Sequence, residues 1–364
     1  MSLTFVVSTG RCGSTALSRV LREHPGVLSI SELFSMLKGT LRHTGFPAHE
    51  MDGAELWRIL TARDEFADAR IRAGLATPEM TYPYRTGRFS PVTGVPMICH
   101  NMLPLLSDDP DTLFALLAGE VPHWPPRPAA DQYRALFAFL AGLLGRPVVV
   151  ERSGASLTIV AALHRQFPEA RFIHLHRDGP DCALSMSRHP VFRLAGLTAA
   201  AAQAAGAPAV LPWEAAESQL RRLRAQGKIP REFTGLIDWP FDAERYMSYP
   251  LPVAFFGELW SWLVCEGVPA LAKLAPGGWI SLAYEDLLRE PAAQLAILAD
   301  FIGVAASPRW LARATDLISR PGQASVAAEL GPAELESLRT ACEPGARAIA
   351  AARAHPATPI GSRA

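Results

Sequence analysis

The stretch that decides the fold is Leu3–Thr15, with the sequence LTFVVSTGRCGST. Its first part, Leu3–Val7, is a short β-branched and aromatic run that predicts a buried strand. A glycine-bearing turn, Ser8–Thr15, follows it, and the apolar spacing over Ala16–Glu23 predicts a helix. Such a turn favours anion binding, because its backbone N–H groups and the positive helix N-terminus converge there. The pattern also suits an ordinary strand-to-helix turn, and the glycines alone do not decide between the two.

The composition is that of a globular protein. The chain has 364 residues, of which 49% are hydrophobic and 19% charged, which allows a large core and argues against wholesale disorder. Its 35 basic and 35 acidic residues give zero net charge, whereas a general nucleic-acid binder usually has a basic excess. We therefore expect no nucleic-acid partner, while one locally basic pocket for a charged metabolite remains compatible with this balance.

The cysteines and the apolar runs bear on the cellular compartment. The five cysteines are widely spaced and include no CxxC pair, which argues against a disulfide scaffold or zinc site and favours a reducing compartment. The run Leu3–Val7 is short and lacks a basic lead, so we do not expect a signal peptide. No run of about 18 apolar residues predicts a membrane span. The expectation is a cytoplasmic protein.

Three further stretches predict buried strands, and helical patterns lie between them. They are Pro147–Val150, Arg171–Leu175 and Trp279–Ala283. Strands that alternate with helices predict a central parallel sheet flanked by helices, which is an α/β fold.

The turn after the first strand does not match two common phosphate loops. A nucleotide triphosphatase loop has a lysine after its last glycine, but Ser14 follows Gly13 here. A phosphatase loop has five residues between cysteine and arginine, whereas six separate Cys12 from Arg19. The positive charge lies earlier, at Arg11.

This turn resembles the 5′-phosphosulfate loop of sulfotransferases that use 3′-phosphoadenosine 5′-phosphosulfate (PAPS), and the chain is similar to their bacterial branch. Arg11 falls on the family's catalytic lysine or arginine, and Gly10 replaces its usual proline. The aromatic residue that stacks on adenine in the cytosolic branch is replaced by Ala16. The resemblance implies a P-loop-like sulfotransferase fold and a nucleotide-binding turn made of Arg11, Cys12, Gly13, Ser14, Thr15 and Ala16.

A second stretch, residues 172–185 with the sequence FIHLHRDGPDCALS, resembles the family's 3′-phosphate block. Arg177 and Ser185 have the family's eight-residue separation. An arginine at a strand end and a hydroxyl on the next helix can converge on one phosphate. His174 and His176 form half of a metal site at most, since no third ligand is evident, and strand packing or pocket lining is the favoured interpretation.

Two shorter matches lie near the C-terminus. Tyr284 begins the sequence YEDLL, which resembles a family segment whose tyrosine lies near adenine. Arg320 and Gly322 partly match the family's C-terminal loop over the 3′-phosphate, although its lysine is missing. The resemblance thus adds Tyr284, Arg320 and Gly322 to the donor-binding residues.

The family's catalytic residues have candidates here. Glu32 resembles the glutamate base of Golgi-type and several bacterial branches, and it also suits a helix N-terminal carboxylate. Arg152 and Ser153 resemble a segment that steadies the transferring group, although Arg152 also suits a partner for Glu151 or Asp181. The rival base is His100, which together with Ser153 is a candidate acceptor-binding residue.

The sequence therefore predicts a PAPS-dependent sulfotransferase that moves a sulfonyl group to a hydroxyl by in-line transfer, with no metal expected. The acceptor is a small molecule or carbohydrate of unidentified structure. We expect one domain, 1–364, in which insertions 36–130 and 189–262 shape the acceptor site and a lid. The alternatives are a P-loop small-molecule kinase and a non-catalytic nucleotide-binding protein of the same fold. The oligomeric state stays open, a homodimer included.

Overall fold

A five-stranded parallel sheet lies at the centre of the computed structural model, which describes residues 2–36, 46–208, 213–237, 241–318 and 329–353. The strands in chain order are β1 (Ser2–Val7), β2 (Val27–Ser31), β3 (Glu50–Met51), β4 (Arg127–Pro128), β5 (Val148–Arg152), β6 (Arg171–His176) and β7 (Trp279–Ala283). The main sheet has the order β2-β5-β1-β6-β7, and all its pairings are parallel. The short strands β3 and β4 form a separate antiparallel pair.

Helices cover the sheet and form the segments between its strands, as the sequence predicts for an α/β fold. Within the described residues they are α1 (Ser14–Arg22), α2 (Leu33–Met36), α3 (Gly53–Leu60), α4 (Glu65–Arg72), α5 (Met97–Asn101), α6 (Leu103–Leu106), α7 (Pro110–Glu120), α8 (Ala129–Leu144), α9 (Val160–Gln166), α10 (Gly179–Ser187), α11 (Pro190–Ala204), α12 (Trp213–Ala225), α13 (Ala243–Ser248), α14 (Val253–Leu271), α15 (Tyr284–Arg289), α16 (Pro291–Ile302), α17 (Pro308–Ile318) and α18 (Pro332–Arg353). The predicted fold class is confirmed.

One strand of the sheet, β2, has no counterpart among the sequence predictions. All five of its residues are buried, and it pairs with β5 along its whole length. Ser29 and Ser31 interrupt its apolar pattern, so the run does not look like a buried strand in the sequence. Its position matters because Glu32 follows it directly.

The middle strand β1 sets where the functional residues gather. Its two neighbours, β5 and β6, both come much later in the chain, so the connections diverge on either side of β1. In open α/β sheets the crevice at such a divergence, beyond the carboxyl ends of the strands, is the usual ligand site. The glycine-bearing turn Ser8–Gly13 lies at this place.

Aromatic side chains fill the core on one face of the sheet. The ring of Phe5 on β1 lies 5.9 Å from Phe34, 5.4 Å from Phe167 and 5.6 Å from Phe172, measured between ring centroids. Such tilted and edge-on pairs add a little to the free energy gained by burial. In the described part of the chain, no helix combines the length and the apolar character that crossing a membrane would need.

Candidate active site

A cavity of about 490 Å³ opens at the carboxyl edge of the sheet. Its wall brings together sequence-predicted residues from distant parts of the chain, namely Arg11, Gly13, Ser14, Thr15, Ala16, Glu32, His100, Arg152, Arg177, Ser185 and Tyr284. Two others are not in the wall, because the side chains of Cys12 and Ser153 are fully buried beneath it. Arg320 and Gly322 lie outside the described residues.

The turn after β1 depends on a glycine and leads directly into helix α1. Gly13 has φ +87°, and a Cβ at this position would lie 2.2 Å from ring atoms of Tyr284, so only glycine fits. Helix α1 begins at Ser14 with no side-chain cap and no acidic residue in its first turn. The first N–H groups of a helix have no partner within it, so this end of α1 is available to an anion.

Arg11 connects this turn to helix α10. Its Nε donates to Ser185 Oγ at 3.2 Å, and its Nη1 donates to Glu79 Oε1 at 3.4 Å. Thr15 Oγ1 donates to the same Glu79 oxygen at 2.9 Å. Arg11 and Thr15, which could donate to an anion bound at the turn, thus donate to the carboxylate of Glu79.

Glu79 lines the candidate site but was missed by the sequence analysis, because it lies in a proline-rich segment with no motif. Burial alone would raise the pKa of its carboxyl, but hydrogen bonding and the positive charge nearby outweigh burial and lower it well below its ordinary value. The neighbour His189 accepts from the Val191 N–H through Nδ1, so its Nε2 carries the hydrogen that faces Glu79. Burial lowers the pKa of His189.

The sheet register brings Glu32 and Arg152 together. Ser31 lies opposite Arg152 in the β2–β5 pairing, and the Glu32 N–H donates to the Arg152 carbonyl at 2.7 Å. Arg152 Nη1 donates to Glu32 Oε1, and the Gly154 N–H donates to Oε2 at 2.9 Å. The glutamate is thus oriented through both oxygens at the cavity wall.

The arginine of this pair is 2% exposed in its side chain. Its Nε donates to Ser18 Oγ at 3.1 Å and its Nη2 to Ser31 Oγ at 3.3 Å. Burying a guanidinium is costly unless its donors are satisfied, and here each of the three nitrogens has an acceptor.

Glu151 and Ser153, which flank Arg152, form a separate buried pair. Ser153 Oγ donates to Glu151 Oε1 at 2.5 Å and accepts from the Phe34 N–H at 3.0 Å. Burial raises the pKa of Glu151 to about 8. The three hydrogen bonds of Arg152 described above thus go to Glu32 and to serine hydroxyls, not to Glu151 or Asp181.

Arg177 and Tyr284 lie side by side because β6 and β7 are neighbours, with His176 opposite Ala283. The guanidinium carbon of Arg177 is 5.6 Å from the centroid of the Tyr284 ring, and its Nη2 donates to Asp181 Oδ2 at 3.0 Å. Arg177 and Ser185 both line the cavity, but the hydroxyl of Ser185 bonds to Arg11.

Three histidines of the sequence analysis have different surroundings. His100 lines the cavity, is 2% exposed, and its Nδ1 lies 3.0 Å from the Tyr84 hydroxyl. His174 and His176 are buried outside the cavity wall, and His176 Nε2 lies 3.0 Å from Arg353 Nη2. Across the described ranges, no three His, Cys, Asp or Glu side chains are grouped so that they could hold a metal ion.

The cavity wall has an excess of positive charge. It carries five arginines, Arg11, Arg19, Arg70, Arg152 and Arg177, against three carboxylates, Glu32, Asp64 and Glu79. Fixed arginines and open N–H groups can hold a polyanion, and an oriented carboxylate can accept a proton.

Backbone strain is concentrated at this cavity. Three non-glycine residues have positive φ in the described chain, namely Arg11 at 59°, Glu32 at 60° and Ala155 at 55°, and all three line the wall. The left-handed region costs about 1–2 kcal/mol for an L-residue. Such strain tends to occur at functional sites, where the surrounding structure holds it.

Comparisons with known proteins bear on this site. No functionally curated protein matches the sequence significantly. Among solved structures, similar chains include the sulfotransferase domain of the Synechococcus PCC 7002 olefin synthase (18% identity, TM-score 0.43, 96% of this chain and 94% of that chain covered). Two others are sulfotransferases from Mycobacterium avium (12%, 0.40, 93% and 74%) and Alicyclobacillus acidocaldarius (14%, 0.39, 96% and 95%).

TM-scores this low carry no argument by themselves, so the family is shown by the sequence. The model of the sulfotransferase family matches residues 4–234, well over half of the chain. The match includes the turn after β1, Glu32, Arg152 and the Arg177 block, while Tyr284 lies beyond it. The chain belongs to the sulfotransferase family.

Proposed function

We propose that this sulfotransferase takes its sulfonyl group from PAPS and transfers it to a hydroxyl with Glu32 as the base. The observation that carries the proposal is the shared cavity wall. Three sets of residues far apart in sequence meet there, namely the turn after β1, the Glu32–Arg152 pair and Arg177 with Ser185.

The residues present fit a bisphosphorylated donor. The uncapped N-terminus of α1 and the turn before it suit a phosphosulfate, and Arg11 adds positive charge beside them. Arg177 and Tyr284 follow β6 and β7, on the other side of β1 from β5. The guanidinium of Arg177 suits a 3′-phosphate, and the ring of Tyr284 suits an adenine. The side chain of Asp181 accepts from Arg177 and orients its guanidinium.

The proposed transfer is an in-line displacement at sulfur. The acceptor oxygen forms a bond to sulfur while the bond from sulfur to the phosphate oxygen breaks, and the hydroxyl proton passes to Glu32. The leaving phosphate oxygen gains negative charge, which Arg11 and Arg152 would stabilise. The hydrogen bonds from Arg152 and Gly154 fix the direction of the Glu32 carboxylate, which a base needs.

We also propose that the part of the cavity lined by the two predicted insertions receives the acceptor. This part includes Arg70 and His100 from 36–130 and Phe192 and Trp262 from 189–262. The closing of a lid stays a prediction.

Titration calorimetry with 3′-phosphoadenosine 5′-phosphate (PAP), with AMP as control, tests the donor. PAP is expected to bind at least about tenfold more tightly than AMP, because only PAP has a 3′-phosphate for Arg177. Arg177→Ala should remove this difference, while Arg58→Ala, at a largely exposed arginine, should keep it. Equal affinity of the wild-type protein for PAP and AMP would exclude the proposed donor site.

The base is tested separately by turnover over an acceptor panel. Glu32→Gln should lower kcat by a factor of about 10² or more while PAP affinity stays close to the wild-type value, since the amide cannot take the proton. His100→Gln is the matched variant for the rival base. Wild-type turnover in Glu32→Gln, with loss in His100→Gln, would move the base to His100.

A further inference from the structure

We propose that Arg70 binds an acidic group of the acceptor, so that the acceptor is a hydroxy acid; the inference rests on the proposed function of the cavity. Arg70 lies near the end of α4, is 3% exposed and lines the cavity. It belongs to the predicted insertion 36–130 and not to any of the donor motifs.

The guanidinium of Arg70 lacks the partners that a buried arginine needs. Among the described residues, its Nε and Nη1 are buried without a hydrogen-bond acceptor. Its guanidinium carbon lies 5.1 Å from the centroid of the Phe66 ring, a contact that satisfies no N–H donor. Buried charged groups are normally paired, and one that is not calls for an explanation such as a missing ligand.

Neither Asp64 nor Asp68, the two aspartates near Arg70 in the sequence, forms an ion pair with it. Asp64 Oδ1 accepts from the N–H groups of Phe66 and Ala67 at 3.0 and 3.1 Å and so caps α4. Asp68 Oδ2 accepts from the Val95 N–H at 3.3 Å, and its Oδ1 is buried without a hydrogen-bond partner among the described residues. The charge of Asp64 reaches Arg70, but no ion pair within 4.0 Å joins them.

A second buried arginine shows what a purely structural role looks like in this fold. Arg193 is 6% exposed, close to the value for Arg70. Its Nε, Nη1 and Nη2 donate to the carbonyls of Tyr246, Ser187 and Tyr249 at 2.9, 2.9 and 2.6 Å. Arg70 has no such set of protein acceptors, which is the arrangement expected if a ligand supplies them.

The same cavity wall also contains a hydrogen-bond acceptor without a partner among the described residues. Asn101 is 7% exposed and lines the cavity, and its side-chain oxygen has no partner among the described residues. This oxygen accepts, so it suits a hydrogen-bond donor of the ligand, whereas Arg70 suits a carboxylate. Arg70 supplies one positive charge, which a singly charged carboxylate matches. Together with the hydroxyl that receives the sulfonyl group, the carboxylate makes the acceptor a hydroxy acid.

The first test needs no acceptor. Arg70→Met should keep the melting temperature of the ligand-free protein within about 2 °C of wild type or raise it, because an unpaired buried charge is removed. Arg193→Met, the matched variant, should melt well below wild type. A fall in Arg70→Met equal to that in Arg193→Met, or failure of Arg70→Met to fold, would show a structural role and overturn the proposal.

The second test uses the PAP-saturated protein and a panel of hydroxy acids, each with its primary amide. The best acid should bind at least about tenfold more tightly than its amide, and Arg70→Met should remove the preference with PAP affinity unchanged. A panel with no acid preferred, or weaker PAP binding in Arg70→Met, would overturn the proposal. Failure of the donor proposal would appear differently, as absent PAP binding by the wild-type protein.

Discussion

Removing the carboxylate of Glu32 should destabilise the folded protein through Arg152. In Glu32→Ala, the hydroxyls of Ser18 and Ser31 remain as acceptors, but the buried guanidinium loses its counter-ion. Breaking a buried ion pair from one side costs about 3–5 kcal/mol. Arg152→Met in the same chain removes the charge that was left unpaired. The double variant should therefore be about 1–3 kcal/mol more stable than the sum of the two single variants predicts.

Urea unfolding followed by tryptophan fluorescence measures this coupling. For an m value of about 3 kcal/mol/M, the single variant Glu32→Ala should lower the midpoint by about 1 M. The control is Glu343→Ala, which removes a surface partner of Arg347, 3.1 Å away, and should cost less than about 1 kcal/mol. Additive effects of Glu32→Ala and Arg152→Met, within about 0.5 kcal/mol, would refute the reasoning.

Three other predictions concern the cavity, the sheet and the cysteines. Gly13→Ala should abolish PAP binding in calorimetry because its Cβ would meet the Tyr284 ring at 2.2 Å, whereas Gly74→Ala, at a similar φ of +78° with nothing within 4 Å, should retain it. Burial lowers the pKa of the two β6 histidines to about 3 and about 4. Below pH 6.5 the unfolded chain therefore binds more protons than the folded protein. The free energy of unfolding should fall from there towards pH 4 by up to about 1.4 kcal/mol per pH unit for each histidine. In urea unfolding, His176→Gln should make this pH dependence less steep. A thiol reagent should label Cys265 first in the native protein, since it is exposed and the other four cysteines are buried, and labelling that persists in Cys265→Ala would contradict this.

The sequence predicted those parts of the fold that local patterns encode. The strands β1, β5, β6 and β7 were all expected, because each combines a short apolar run with a following polar turn. β2 was missed because its two serines hide a fully buried strand. The pairing of Glu32 with Arg152 was missed with it, since this contact depends on β2 lying beside β5.

The candidate site divides in the same way. The turn after β1 and the Arg177 block follow strands directly, so their meeting at one sheet edge follows from the parallel topology. Glu79 and Arg70 belong to a segment without motifs, and Arg70 lies on a short helix in which half of the eight residues are charged. Only tertiary packing turns that helix towards the cavity, and packing over such sequence distances leaves no local pattern.

The left-handed backbone at Arg11, Glu32 and Ala155 has a consequence for how this protein can change by mutation. The strain at these residues is relieved on unfolding, so the cavity is maintained against its own local preference by the rest of the fold. Replacing Ala155 with glycine would remove the steric strain of its Cβ in the folded protein. It would also increase the conformational entropy of the unfolded chain, so the net change in stability is the difference between these two effects. Selection for thermal tolerance and selection for turnover would then favour different residues at the same few positions. Heat-resistant variants obtained without an activity screen are expected to have lost catalytic geometry first.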